Sequence, residues 1–202
     1  MKQLVIIGAS GHGKVAADIA RKNGFNSIIF LDDSETLKDC CGYAVAGKCC
    51  SFIDYDCDFF VAIGDNIVRE RIFKKLQSSG ANIVSLIHPN AVISKYVSIG
   101  DGVVVMAGVV VNHSAELGNG VILNTCCSVD HDCKVSDFSH ISVGAHLAGA
   151  VNIGQRTLVG PGATVLSNMT ICADCIIGGG AVVVQPIQTC GVYAGVPARS
   201  IK

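Results

Sequence analysis

The sequence predicts a mainly β protein, in which a parallel β-helix of hexapeptide repeats follows a small Rossmann-like α/β domain. An aliphatic residue recurs at every sixth position from Ile87 to Val183, and residues 1–80 alternate strand-like with helix-like patterns. The composition, with 23 glycines, 5% aromatic residues and no tryptophan, suits thin, tightly stacked β-layers. We therefore expect an α/β domain over 1–80 and a β-helix with a C-terminal cap over 81–202.

The α/β domain is predicted from alternating patterns. The segments "QLVIIG", "SIIFLDD" and "DFFVAIGDN" have the pattern of strands, while "KVAADIARKNG" and "IVRERIFKKLQSSG" have that of helices. The first helix follows a glycine turn, "GASGHG", and stops at Gly24. Strand–helix–strand alternation predicts a parallel sheet with right-handed crossovers.

The β-helix is predicted from a register that never slips. All of the anchor positions are aliphatic, namely Ile87, Ile93, Ile99, Val105, Val111, Leu117, Leu123, Val129, Val135, Ile141, Leu147, Ile153, Val159, Val165, Ile171, Ile177 and Val183. Residues after the anchors are often Gly, Asn, Asp or Ser, which suit tight corners. Three hexapeptides form one triangular coil, so residues 18 apart stack on successive coils and no long loop is inserted. The terminal segment "GVYAGVPARSIK" leaves the pattern and is expected to cap the helix.

The glycine turn leaves two readings open. Gly8–Lys14 is nearly a P-loop, but Val15 stands where a magnesium-binding Ser or Thr is required, which disfavours an NTPase. The glycines follow the order G-x-x-G-x-G and not the G-x-G-x-x-G of dinucleotide-binding loops. The domain is also too short for two mononucleotide-binding halves, so NAD binding is disfavoured although Asp32 is suitably placed for a ribose hydroxyl. Either the glycines only let strand pack on helix, or a phosphorylated or nucleotide-linked ligand binds at the helix N-terminus.

Charge and cysteine usage exclude several classes of protein. The net charge is -1 and there is no basic block, so nucleic acid is not an expected partner. The sequence contains no run of 18 apolar residues, so insertion into a membrane is not expected. The N-terminal apolar run is short and leads into the glycine turn, so we read it as a strand and not as a signal peptide. The eleven cysteines are then expected to be free thiols in the cytoplasm. The single C-x-x-C, Cys172 to Cys175, has no second pair and its Cys175 faces inward, so no metal or redox role is expected there.

Several segments together resemble a known family of enzymes. "GASGHG", "FLDD", "AIGDN", "ILNT", "DHDCKVSDFSHISVGAHLAG" and "GVPAR" are similar to those of bacterial acetyl-CoA-dependent N-acetyltransferases that act on UDP-4-amino sugars, and the sialic-acid O-acetyltransferases share much of this pattern. The resemblance extends nearly end to end. It implies a left-handed β-helix, a homotrimer with acetyl-CoA as co-substrate between neighbouring β-helices, and a nucleotide-sugar site in the N-terminal domain.

The resemblance also implies an activity. That activity is acetyl transfer to the 4-amino group of a UDP-linked amino-dideoxy sugar, for bacterial glycan biosynthesis. The alternative is O-acetylation of sialic acid or a related nonulosonic acid. The acidic pair Asp32–Asp33 at the nucleotide site favours the UDP-linked acceptor.

The resemblance assigns roles to individual residues. His131 matches the general base and Asp132 the acid that raises its basicity, although many members carry Glu there. Gly149 matches the residue whose N–H faces the thioester oxygen, and Asn124 matches a polar substrate contact. Acetyl-CoA contacts fall on His140, Pro161 and Gly179, of which Pro161 departs in residue type and offers only its backbone. Uridine-nucleotide contacts fall on Ser10, Gly11, His12, Asp32, Asp33 and Gly64.

The hexapeptide register supports His131 independently of the family. It lies two residues after its anchor Val129, which turns its side chain outward, and carboxylates flank it on both sides. A histidine beside carboxylates keeps a pKa near or above neutrality, as a general base requires. His113 lies one coil below without an adjacent acid, so we expect it to neighbour the substrate or to have no role.

Two further classes compete with this reading. β-Helical carbonic anhydrases bind zinc through a His-x-x-x-x-His pair on one coil, but His140 and His146 are six apart here, so no metal is expected. A non-catalytic hexapeptide scaffold is disfavoured by the His131–Asp132 pair.

Overall fold

The computed structural model describes residues 3–201 and divides after Pro89 into two compact units. This division lies nine residues beyond the boundary expected at residue 80. The strand Asn82–Ile83 pairs with Asp58–Val61, and the Asn23 side chain bonds the backbone of Ile87, which ties residues 81–89 to the first unit.

The first unit is an α/β sheet whose central strand ends at the glycine turn. Its strands are β1 Gln3–Ile7, β2 Ser27–Leu31, β3 Asp39–Cys40, β4 Tyr43–Gly47, β5 Asp58–Val61 and β6 Asn82–Ile83. The order is β3-β4-β2-β1-β5-β6, parallel except for the β3–β4 hairpin. Strands β2, β4 and β3 lie on one side of β1, and β5 and β6 lie on the other. The carboxyl end of β1 is therefore a topological switch point, where open α/β sheets bind ligands.

Two helices and one 3₁₀ helix complete this unit. Helix α1, Gly11–Lys22, buries an alanine-rich face on the sheet, and α2, Asn66–Ser78, begins where the Asp65 carboxylate accepts the Val68 N–H. The 3₁₀ helix spans Cys49–Asp54. The predicted strands and helices of this unit are all present.

The second unit is the predicted parallel β-helix, and each aliphatic anchor is the second residue of a two-residue strand. The first strand in the register, β7 Leu86–Ile87, lies before the division after Pro89 and so belongs to the first unit. One face of the second unit carries β10 Val104–Val105, β13 Ile122–Leu123, β16 His140–Ile141, β19 Leu158–Val159 and β22 Ile176–Ile177. The second face carries β8 Val92–Ile93, β11 Val110–Val111, β14 Ser128–Val129, β17 His146–Leu147, β20 Thr164–Val165 and β23 Val182–Val183. The third face carries β9 Ser98–Ile99, β12 Glu116–Leu117, β15 Lys134–Val135, β18 Asn152–Ile153 and β21 Thr170–Ile171.

The inward side chains of the β-helix are buried, and many of its corner residues have positive φ. Cys127, Cys133 and Cys175 are buried as the register predicts. Phe138 is also buried, at a corner with φ +58°, and its ring lies against Gly120 one coil below. The last strands, β24 Val192–Ala194 and β25 Arg199–Ser200, form an antiparallel pair after β22, so the chain ends its coils there. No helix within residues 3–201 is long and apolar enough to cross a bilayer.

Candidate active site

The glycines of the first unit divide into two kinds. A side chain on Gly13 would run into the Gly8 carbonyl, and one on Gly8 would lie 2.7 Å from the Ala62 carbonyl oxygen, so these two glycines let α1 and the β5 loop pack closely on β1. Gly11 and Gly64 are exposed and have open space where a side chain would stand. The packing role is thus confirmed for Gly8 and Gly13, while ligand binding stays a prediction for Gly11, which lies beside Ser10 at the exposed N-terminus of α1.

The two acids after β2 shape this turn. The Asp32 carboxylate accepts the Ala9 N–H at 2.8 Å and the Ser34 N–H at 2.9 Å. Asp33 accepts the Cys49 N–H at 2.9 Å. Asp32 thus ties the end of β2 to the glycine turn, and a ligand there would meet a carboxylate whose orientation is already fixed.

His12 is an unusual member of the group. Its Nε2 is buried and has no hydrogen-bond partner among residues 3–201. Burial, reinforced by the charge of Arg69, lowers the pKa of His12 to about 4. The ring is therefore neutral at physiological pH and can serve a ligand as a hydrogen-bond group without carrying charge.

Arg69 is a residue that the sequence analysis missed. It is 1% exposed, and its guanidinium donates to the carbonyls of Ile63 and Gly64 and to the Asn66 side chain, so it holds the loop after β5. Its position on the face of α2 that buries Ile72, Phe73 and Leu76 was the available signal, because an apolar residue is expected there.

The β-helix contributes the His131–Asp132 pair. The Nδ1 of His131 lies 2.8 Å from the Asp132 carboxylate, and both side chains are exposed. The hydrogen bond to Asp132, then the charge of Asp130, raises the pKa of His131. Because the carboxylate accepts, Nδ1 carries the proton and Nε2 is left with its lone pair. Nε2 has no hydrogen-bond partner within residues 3–201.

Asp130 fixes the backbone of this pair from the other side. Its carboxylate accepts the His131 N–H at 2.8 Å and the Asn112 side-chain amide at 2.8 Å. These bonds, the one to Asn112 foremost, lower the pKa of Asp130 and keep it ionised. Asn112 lies one coil below, so Asp130 links the His131 backbone to the neighbouring coil.

Gly149 lies directly above the imidazole. A side chain on Gly149 would meet Cε1 and Nε2 of His131 at 2.6 Å, and the Ala150 N–H donates to the His131 carbonyl at 2.9 Å. Glycine is therefore required for the ring to occupy this position. Gly149 therefore lies beside His131, on the coil above it, as the 18-residue repeat predicts.

The residues expected at acetyl-CoA lie elsewhere on the coil. The Asn124 amide nitrogen is 3.1 Å from Nε2 of His140, so the residue expected to contact the substrate bonds one that is expected to contact acetyl-CoA. Pro161 and Gly179 are exposed on successive coils, and the Pro161 carbonyl accepts the Gly180 N–H at 2.8 Å, so this backbone group is already engaged. These four residues lie on the first face or the corner that follows it.

His131 lies at a different corner, between the second and third faces. In a triangular coil this corner is opposite the first face, where His140 lies. One β-helix therefore does not bring all of the expected residues together. Among residues 3–201, no group of three or more His, Cys, Asp or Glu side chains is placed to hold a metal ion.

Comparison with known proteins places this geometry in a family. The profile of the PglD N-terminal domain family matches residues 3–76. The acetyltransferase domain of PglB from Neisseria gonorrhoeae FA1090, solved with acetyl coenzyme A, is 39% identical with a TM-score of 0.96, over 99% of both chains. PerB from Caulobacter crescentus, solved with CoA and GDP-perosamine, is 36% identical with a TM-score of 0.95, over 100% of this chain and 98% of that one.

A curated relative agrees over a shorter stretch. The UDP-N-acetylbacillosamine N-acetyltransferase of Bacillus subtilis (strain 168) is 34% identical over 113 residues, which are 53% of this chain and 52% of that relative. The match thus covers about half the length of that enzyme. The predicted fold class, a left-handed β-helix after a Rossmann-like domain, is confirmed by these relatives. The chain belongs to the family of hexapeptide-repeat sugar N-acetyltransferases that carry a PglD-type N-terminal domain.

Proposed function

We propose that this protein transfers the acetyl group of acetyl-CoA to the 4-amino group of a nucleotide-linked amino-dideoxy sugar, with His131 as general base. The observation that carries the proposal is the imidazole itself: Nδ1 is held by Asp132 and Nε2 lies against Gly149 without a partner in residues 3–201. Relatives named for UDP- and GDP-linked amino sugars support this class of acceptor. The acids Asp32 and Asp33 keep UDP as our first choice of nucleotide.

The proposed reaction follows from the tautomer of His131. The amine nitrogen attacks the thioester carbonyl, and Nε2 accepts the amine proton as the C–N bond forms. Negative charge develops on the carbonyl oxygen, where the Gly149 N–H is proposed to donate. The C–S bond then breaks, the imidazolium returns its proton to the departing thiolate, and Asp132 stabilises the imidazolium in between.

Acetyl-CoA is the expected co-substrate, and its proposed contacts are His140, Pro161 and Gly179. The Asn124–His140 pair presents a side-chain amide beside a half-buried imidazole, which suits the amide-rich arm of CoA. The thioester itself supplies the activated acyl carbon, so the remaining chemistry is proton transfer and oxyanion stabilisation. The nucleotide is proposed to bind Ser10, Gly11, His12 and Gly64 at the switch point of the first unit.

A homotrimer is part of the proposal. The base lies at the corner opposite the face that carries His140, so the two halves of the site can meet only if neighbouring copies contribute one each. We also propose a cytoplasmic location, which the eleven free thiols support because thiols stay reduced there. Sedimentation at micromolar concentration should give three chains per particle, and a fully active monomer would contradict this arrangement.

The decisive experiment tests a panel of acceptors with acetyl-CoA and measures the rate at which the CoA thiol is released. UDP- and GDP-linked 4-amino sugars, CMP-sialic acid and free sialic acid are compared in wild type, His131→Ala and the matched control His146→Ala. His146 is exposed on the second face and bonds Ser128 at 2.9 Å. We expect acetylation of an amino sugar, a loss of about 10²–10⁴-fold in kcat for His131→Ala, and little change for His146→Ala. Acetylation of sialic acid alone would favour the O-acetyl alternative, and full activity of His131→Ala would contradict the proposed base.

A further inference from the structure

A line of exposed side chains continues below His131 on the same corner. The positions two residues after the anchors are Lys95, His113, His131 and Gly149, one on each successive coil. The Asp132 N–H donates to the His113 carbonyl at 3.0 Å, so His113 lies directly beneath the base. With about 4.8 Å between coils, Lys95 lies about 10 Å below His131 along the axis.

An aromatic stack connects the lower positions of this line. The Tyr96 and His113 rings have centroids 4.2 Å apart and planes inclined by 30°, and the Lys95 ammonium lies 4.9 Å from the Tyr96 ring centre. Tyr96 is 57% exposed, in a chain with few aromatic residues. A large ring held in place yet open to solvent is suited to contact a ligand.

The His113 ring is oriented by a short local bond, since its Nδ1 lies 2.6 Å from the Ser114 hydroxyl. The backbone N–H of Tyr96 donates to the Ser94 hydroxyl at 3.4 Å, and the Tyr96 ring is held by its stack on His113. Nε2 of His113 has no hydrogen-bond partner within residues 3–201. The corner therefore presents, from bottom to top, a cation, an aromatic surface, an imidazole nitrogen and the base.

This order matches the chemistry of the proposed acceptor. An amino sugar linked to a nucleotide carries its diphosphate on one side of the ring and its 4-amino group on the opposite side. Aromatic rings pack against the apolar C–H face of a deoxy sugar, an imidazole nitrogen bonds a hydroxyl, and an ammonium attracts phosphate.

We propose that Lys95, Tyr96 and His113 bind the acceptor beneath the base, with Tyr96 and His113 on the sugar ring and Lys95 on the diphosphate. The inference rests on the function proposed above and extends it to residues that determine which acceptors bind. Tyr96 and His113 thereby set the height of the amine opposite Nε2 of His131, while acetyl-CoA binding does not involve them.

The test uses the full-length chain and the amino sugar that the wild type acetylates best. Kinetics are measured for three variants: Tyr96→Ala, His113→Ala and Lys95→Met. The acceptor KM is obtained at saturating acetyl-CoA, and the acetyl-CoA KM at saturating acceptor. Free UDP and GDP serve as inhibitors that carry the diphosphate without the sugar. Lys134→Met is the control, since it removes one exposed ammonium from the third face, where Lys134 pairs with Glu116 at 3.1 Å.

We expect Tyr96→Ala and His113→Ala to raise the acceptor KM about tenfold, with kcat and the acetyl-CoA KM within about twofold of wild type. Lys95→Met should raise the acceptor KM and also weaken inhibition by the free nucleoside diphosphate, which the other two variants should leave unchanged. Lys134→Met should resemble wild type. If all three variants keep the wild-type acceptor KM, or lose only kcat, the inference is overturned while the proposed function stands. A wild type that acetylates none of the nucleotide-linked amino sugars overturns the proposed function, and this inference with it.

Discussion

Replacing Gly149 by alanine should impair catalysis without unfolding the protein. The new Cβ would lie 2.6 Å from both Cε1 and Nε2 of His131, where ordinary contacts begin at 3.4 Å. The imidazole must therefore withdraw by about 0.8 Å (3.4 − 2.6). Displacing a reacting group by about 1 Å costs about 10²-fold in rate, so kcat should fall by about that factor.

The fold should tolerate this change, because the displaced atoms belong to an exposed side chain. Gly149 is also absent from the left-handed positions of the corners, so alanine introduces no backbone strain. Steady-state kinetics at saturating acetyl-CoA would give kcat, and a thermal melt would confirm that the melting temperature stays near that of wild type. A large drop in melting temperature would mean that the glycine is needed for packing and not for the position of the base.

A double-mutant cycle separates the two roles that Gly149 can have. If Gly149→Ala acts only by displacing the ring, it should cost nothing further in a His131→Ala background. If the same loss persists there, the added methyl group obstructs the acetyl group itself, because alanine keeps the backbone N–H that is proposed as the oxyanion donor. Wild-type kcat in Gly149→Ala would refute the steric argument altogether.

Four more outcomes are expected. Asp132→Asn replaces the carboxylate that raises the pKa of His131 by a neutral amide, so the acidic limb of kcat/KM should move to lower pH while the plateau falls less than in His131→Ala; a limb that stays in place would contradict the pairing. The pKa of His12 is lowered from 6.5 to about 4, so the stability that the neutral ring contributes is complete above pH 6.5 and is lost as pH falls through 4. The free energy of unfolding of the wild type, measured with urea, should therefore fall by about 3 kcal/mol from pH 7 to pH 4 because of this residue, and His12→Gln should remove that part of the pH dependence. Gly120→Ala places a Cβ 2.5 Å from the Phe138 ring at φ +60°, and denaturant unfolding should show a loss of about 3 kcal/mol. Excess dithiothreitol should leave activity intact, since the thiols are free, and inactivation by reductant would indicate a functional disulfide.

The fold could be predicted because its strongest signal is periodic. Each anchor from Ile87 to Val183 forms the second residue of a strand, so a six-residue period alone located seventeen strands. The buried cysteines followed from the same register. Burial raises the pKa of the Cys127 thiol to about 12, as expected for a thiol that packs as a small hydrophobe.

Residues 34–58 were not predictable for a physical reason. The β3–β4 hairpin turns at Cys41 and Gly42, both with positive φ, and cysteine is not one of the residues that mark such turns. The strand β4 then pairs with β2 through a register shift between Phe30 and Leu31, which no local pattern encodes.

The site could be predicted in part. The His131–Asp132 contact and the approach of Gly149 follow from adjacency and from the 18-residue repeat. The Tyr96–His113 stack joins residues that are 17 apart, which the 18-residue repeat does not pair. Arg69 was missed because a buried guanidinium bonded to backbone carbonyls looks, in sequence, like one more charge on a helix.

The uninterrupted register of the β-helix has a consequence for how acceptor preference can change. Because no loop intervenes, the groups in one column stand a whole number of coils apart, and their separation changes only in steps of about 4.8 Å. Duplicating the 18 residues of one coil would move the base one step away from the residues below it and leave both local environments intact. Acceptor length in such a protein should therefore vary in discrete increments, whereas a site built from loops can adjust it gradually.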